Sequence, residues 1–176
     1  MATLRPFDLA PLGHLTPRSV DVLALSRSKK NCKRMSSGEA WNYVLNRTTS
    51  LIESMWRPYR HDHIKFSHTT MSVAVATDAA GCSHKLISLN RYKVPPEEVN
   101  LSAPILSDEI PANGGSHAEV NIVRLVKFLG WELGPIGATR VICRTCQLYI
   151  RSCPAARMIT CAKAGPADTD LPYLPP

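Results

Sequence analysis

The sequence predicts an α/β fold: three α-β-α layers with a central mixed sheet of four to five strands and helices on both faces. Three observations carry that expectation. Two short runs with alternating apolar residues flank a turn, which reads as a β-hairpin. A long apolar helical run follows, opened by Gly114-Gly115-Ser116 and stopped by Gly130. Beyond it, strand and helix patterns alternate to residue 160, as helices packed on a sheet require.

Taken in order, residues 1–35 carry three prolines, little periodicity and the basic run Arg27, Lys29, Lys30, Lys33 and Arg34. They read as an N-terminal arm or loosely packed cap, with the domain proper over 36–176. The basic run fits a solvated loop or a phosphate contact. Ser36-Ser37-Gly38-Glu39 opens a helix in which Trp41, Val44, Leu45, Leu51, Ile52 and Met55 recur at helical spacings. A break is expected near 46–50, and Pro58 ends the helix. The hairpin strands are 70–77 and 85–89, with Asp78-Ala79-Ala80-Gly81 supplying turn chemistry. Residues 90–116 hold four prolines and read as a long surface loop. Ser116 is placed to cap the helix holding Val120, Ile122, Val123, Leu125, Val126, Phe128 and Leu129. Ala138–Ile142 reads as a strand running into Cys143, Cys146–Ser152 as a helix, and Arg157–Thr160 as a strand before a proline-rich tail.

Length and composition narrow the function. At 176 residues and 44% hydrophobic, the chain supports one core, which excludes wholesale disorder. No apolar run reaches the ~18–20 residues of a membrane span. The first 17 residues lack an apolar stretch behind a basic start, so no secretory signal is expected, and the protein as given reads as cytoplasmic. A net charge of +7 favours a polyanionic partner, nucleic acid above all. The six cysteines read as thiols or metal ligands rather than as a disulfide framework.

The chemistry lies in two short stretches. His117-Ala118-Glu119 opens the buried helix, and Cys143-Arg144-Thr145-Cys146 stands where a strand hands over to the next helix. A catalytic zinc takes three protein ligands and keeps one position open, and one imidazole with two thiolates provides that set: His117, Cys143 and Cys146. The helix N-terminus favours the thiolate form. Glu119, two residues from the histidine, is left to move protons.

His-x-Glu followed by Cys-x-x-Cys behind a β-hairpin resembles the zinc-dependent cytidine deaminase superfamily, a signature already known together with its mechanism. The resemblance spans about residues 36–165 by element order and is most specific over 114–147. It implies a deaminase-like fold, a zinc cofactor held by His117, Cys143 and Cys146, and Glu119 as proton shuttle. It further implies substrate contacts at Asn90, which follows the second hairpin strand, and at Tyr92, Ala118 and Trp56. Ile142 stands where most members have proline. That departure, with the Gly-Gly-x-His-Ala-Glu-Val start, is similar to the deaminases of bacterial polymorphic toxins. The resemblance therefore implies deamination of cytosine to uracil in DNA, single-stranded by preference, by a monomer with an immunity protein as partner.

Other readings stand beside this one. Cys143, Cys146, Cys153 and Cys161 would make an all-cysteine structural zinc site, although that leaves His117 and Glu119 without a role. A free nucleoside or nucleotide deaminase, an RNA deaminase, or a non-catalytic zinc-stabilised nucleic-acid module would use the same residues. Cys143-Cys146 as a redox pair fits poorly after a late strand. Cys32, Cys82, Cys153 and Cys161 read as ordinary thiols, and His61 and His63 as surface-loop residues. His68 and His84 are possible groove residues with nothing to single them out. Trp41, Trp131, Tyr43 and Tyr59 are further candidates for stacking, most of them expected in the core.

Overall fold

The computed structural model describes residues 21–56, 70–89, 105–112, 114, 117–162 and 164. The elements are α1 (Val22–Lys30), α2 (Ser37–Trp56), β1 (Met71–Thr77), β2 (Ser83–Leu89), β3 (Glu109–Pro111), α3 (Ala118–Leu129), β4 (Glu132–Ala138), α4 (Arg144–Arg151) and β5 (Arg157–Ile159). They form one five-stranded mixed sheet in the order β3-β2-β1-β4-β5. β1 runs antiparallel to both β2 and β4, while β3 and β5 extend the sheet in parallel. The C-terminal ends of β2, β3, β4 and β5 therefore share one end of the sheet. The β1–β2 turn lies at the other.

Alternation along the strands sorts side chains to two helical layers. Met71, Val73, Val75 and Ile87 pack with Ala40, Val44 and Leu51 of α2. Ala74, Ala76, Leu86, Ile110 and Ile136 pack on the opposite face with Ile122, Val123 and Val126 of α3, Ile150 of α4 and Ala24 of α1. β1 is buried on both faces because it is the central strand. Full burial of each aliphatic side chain contributes about 1.5–3 kcal/mol. The layered α/β architecture expected from the sequence is the one observed.

α2 opens with a reciprocal capping box, Glu39 N–H donating to Ser36 Oγ (3.2 Å) and Ser36 N–H to Glu39 Oε2 (2.7 Å). The break expected near 46–50 does not occur. Thr49 satisfies its hydroxyl on the Leu45 carbonyl within the helix, and Thr48 is buried against the sheet. Gly137 permits that approach, since a Cβ there would lie 2.8 Å from Thr48 Oγ1.

Four further expectations are corrected. The arm contains a helix, α1, capped by Asp21 accepting from Ala24 N–H, with Arg27, Lys29 and Lys30 in its last turn. The 90–116 stretch contains β3, which is only three residues long and gains its pairing from β2. The strand expected at Ala138–Ile142 lies earlier, at Glu132–Ala138. Gly134, Pro135 and Gly137 disguise it, and a register shift between Ala74 and Ala76 of β1 accommodates the proline, which has no N–H to offer the ladder. The N-cap of α3 is His117, not Ser116, which is outside the described residues. α3 stops at Gly130, with φ of 66° in the left-handed region. Phe128, in the apolar run of α3, is 53% exposed.

Among the described residues no helix is long and apolar enough to cross a membrane. Cys32 and Cys82, read as thiols, form a disulfide. The segment leaving α1 runs beside the β1–β2 turn and brings their Cα atoms to 5.1 Å, inside the range a disulfide needs.

Candidate metal centre

The end of the sheet that carries the C-termini of β3 and β4 also receives the N-termini of α3 and α4. His117 caps α3 with extended backbone (φ −55°, ψ 147°), and Cys143 caps α4 likewise (φ −66°, ψ 159°). Neither spends its side chain on a cap hydrogen bond, so both side chains are available to the space between the helices. Cys146 is on the first turn of α4 and is fully buried. The strand exit is braced by the Gln147 side-chain amide donating to the Ile142 carbonyl at 2.8 Å.

The three donor atoms converge. His117 Nδ1 is 3.5 Å from Cys143 Sγ and 3.3 Å from Cys146 Sγ, and the two sulfurs are 3.4 Å apart. Among the described residues this is the group of three ligand side chains that could hold a metal ion. Glu119 is 2% exposed, with Oε2 3.6 Å from Cys146 Sγ. The Cys143 thiol is pulled down to about 4, first by the hydrogen bond with Cys146 and then by His117, against the opposing effect of burial. Cys146 moves upward, through its bond to Cys143, burial and the nearby Glu119 carboxylate. Cys143 is thus the more readily ionised of the two thiols, and a bound cation would favour the thiolate of both.

Comparison of the chain with protein-family models, with curated proteins and with solved structures finds no match.

The identity of the site rests on its residues alone. His117, Glu119, Cys143 and Cys146 are brought together from two distant stretches of sequence. Ala118 between them is fully buried. Asn90 and Tyr92 lie outside the described residues, as does the side chain of Trp56, the last residue of α2. His61, His63, His68 and Tyr59 lie outside them as well. The all-cysteine alternative is not assembled: Cys153 and Cys161 are separate buried thiols, and Cys161 Sγ faces Thr49 Oγ1 at 3.5 Å. His84 does not line a groove. It is fully buried and stacked on Trp131 at 4.0 Å between ring centroids.

Sequence reading missed a polar network that holds the approach to His117. Asn121, 1% exposed on the buried helix, donates to Ser88 Oγ (3.3 Å) and to the Gly114 carbonyl (3.4 Å). Ser88 Oγ in turn donates to the Ala112 carbonyl at 2.6 Å. These bonds tie the segment entering α3 to β2 and to α3 itself. The available signal was an asparagine within AEVNIVRLV, a run otherwise suited to burial.

Proposed function

We propose that this protein is a zinc-dependent hydrolytic deaminase that converts cytosine to uracil in single-stranded DNA. The observation that carries the proposal is the convergence of His117, Cys143 and Cys146 with Glu119 buried beside them. The donor triangle has edges of 3.3–3.5 Å. A tetrahedral zinc with Zn–S of about 2.3 Å and Zn–N of about 2.0 Å asks for edges of about 3.5–3.8 Å, so the side chains fit with shifts of a few tenths of an ångström. Two helix N-termini aim their unpaired N–H groups at the site and favour anionic sulfur there. Zinc, when bound, supplies a Lewis acid that brings a water molecule to ionisation near neutral pH.

The chain's own residues supply the rest. His117, Cys143 and Cys146 would hold the ion, and a set of three protein ligands would leave room for a water or substrate atom. The Glu119 carboxylate is a base buried beside that position. It takes one proton from the attacking water and passes it to the ring nitrogen, then takes the remaining hydroxyl proton and passes it to the departing amine, so that ammonia leaves neutral. Glu119 and Cys146 are buried, so a base held within a duplex could not reach them, which suits a nucleotide that is single-stranded or flipped out. The net charge of +7 suits the phosphates of such a strand. The toxin-like start of α3 extends the proposal to a secreted effector domain, monomeric and countered by an immunity protein.

The test is a deamination assay on matched single-stranded and duplex oligonucleotides containing cytosine or adenine. Uracil is expected in the single strand. Glu119→Ala is expected to retain zinc and to lose activity by at least about 100-fold, the lower bound for a positioned acid–base group. A Glu119→Ala protein that still deaminates would falsify the mechanism. A zinc-loaded protein inactive on DNA, RNA and free cytidine would leave the metal as a structural element, a role that the near-complete enclosure of Cys146 also suits.

A further inference from the structure

The β1–β2 turn lies at the opposite end of the sheet from the metal centre, and the cationic run of the N-terminal segment is fastened there. Arg27, Lys29, Lys30, Lys33 and Arg34 are all exposed. The ion pairs Arg47–Glu109, His84–Asp78 and Lys85–Asp108 use none of these five cations, although Lys33 lies within electrostatic reach of the Glu39 carboxylate. Lys29 and Lys30 complement the C-terminal dipole of α1, but Lys33 and Arg34 lie beyond the helix and gain nothing from it.

The segment is also cross-linked to the hairpin along its length. Ser28 Oγ meets His84 Nδ1 at 2.7 Å, and Cys32 is bonded to Cys82. Ser83 N–H donates to the Lys33 carbonyl (2.8 Å), Met35 N–H to Ser83 Oγ (3.0 Å), and the Arg34 guanidinium to the Ala80 carbonyl (3.1 Å). A merely solubilising run needs no such fastening. These bonds fix the backbone that carries the exposed cations, and a run of like charges gains free energy when an extended polyanion lies across it.

We propose that this ridge is a docking site for the phosphate backbone of single-stranded nucleic acid, remote from the metal centre. Choosing nucleic acid rests on the deaminase reading; the site itself rests on the geometry. α1 lies on the same face of the sheet as α3. The 12 residues of α3 set the separation between the two ends at about 18 Å. A single strand must therefore extend several nucleotides beyond the target base to reach from one to the other. The ridge therefore engages strands that extend well beyond the target base and not minimal substrates.

The experiment measures binding of fluorescein-labelled oligodeoxythymidylate, as a 4-mer and a 30-mer, to the full chain over 50–300 mM salt. Wild type is compared with a Lys29→Gln/Lys30→Gln/Lys33→Gln triple variant whose thermal unfolding is checked in parallel. For the 30-mer, loss of three phosphate contacts is expected to flatten the slope of log K against log salt by about 2 (about 0.7 per contact) and to weaken binding at low salt at least ten-fold. The 4-mer is expected to change little. An unchanged slope, a 4-mer affected as much as the 30-mer, or a wild-type protein that does not bind the 30-mer at 50 mM salt would each overturn the proposal. Deamination is read separately. An inactive protein with the expected slope change refutes the enzyme reading alone, and an active one with an unchanged slope refutes the docking site alone.

Discussion

Gly114 shows how far the metal centre depends on a residue that binds nothing. A Cβ at that position would lie 2.3 Å from Asn121 Oδ1. Asn121 cannot yield cheaply, because it is 1% exposed and its amide already bonds Ser88 and the Gly114 carbonyl. Gly114→Ala therefore displaces the segment three residues before His117, while the ligands keep their identity. Outer-shell changes of this kind typically reduce metal affinity 10–100-fold. The expected result is a zinc affinity lower by about that factor in competition with a chelator, with unfolding of the metal-free protein little affected. An unchanged affinity would mean that His117 is positioned by α3 alone.

At the scale of elements, the β1–β2 turn is a polar junction built around Asp78. Its Oδ1 accepts from the N–H groups of Ala80 and Cys82 (2.9 Å each), and its Oδ2 faces His84 Nε2 at 3.1 Å. Ser28, His84 and Asp78 are the residue types of a nucleophilic triad, but the imidazole is sealed beneath Trp131, so the chain of bonds pins α1 to the hairpin. The Cys82 N–H foremost, then His84 and the Ala80 N–H, hold the Asp78 carboxyl below its ordinary value of 3.8. A lowered value in the folded state means that the carboxylate's contribution is full above about pH 4 and is lost as pH falls through the lower value. Wild type should therefore be more stable than Asp78→Asn at pH values above about 4. The margin should close below pH 4, as read by denaturant midpoints across pH. Elements whose signals are local were legible in the sequence: the hairpin, α3 with its Gly130 stop, and the two short stretches that carry the metal ligands. β4 was hidden because Gly134 and Gly137 serve neighbours distant in sequence, the β1 backbone and Thr48 of α2. β3 draws its order from β2, and the Ser88–Asn121–Gly114 network exists only after packing.

Across the whole molecule, the sheet separates two kinds of order, ligand side chains gathered at one end and an N-terminal segment stapled at the other. The candidate metal centre is closed by the N-termini of α3 and α4. The far end holds a short helix whose exposed Val22 and Leu23 show that it buries only part of its surface. α1 is thus the element least able to hold itself by packing, and the Cys32–Cys82 bond compensates by closing a loop of 50 residues. Chain-entropy reasoning values such a closure at about 4 kcal/mol, with observed contributions typically 2–4 kcal/mol. For a chain of this size each kcal/mol corresponds to about 2–4 °C in Tm. Cys32→Ser, at the exposed partner, is therefore expected to lower the unfolding temperature by roughly 5–15 °C, while the capacity of His117, Cys143 and Cys146 at the opposite end to take up zinc is expected to be unchanged. Thermal unfolding of the variant and of wild type, each with metal content measured, checks both halves. A Tm within 2 °C of wild type would mean that packing of Ala24 and the Ser28–His84 bond already hold α1. Loss of zinc would mean that the two ends of the sheet are coupled through α3.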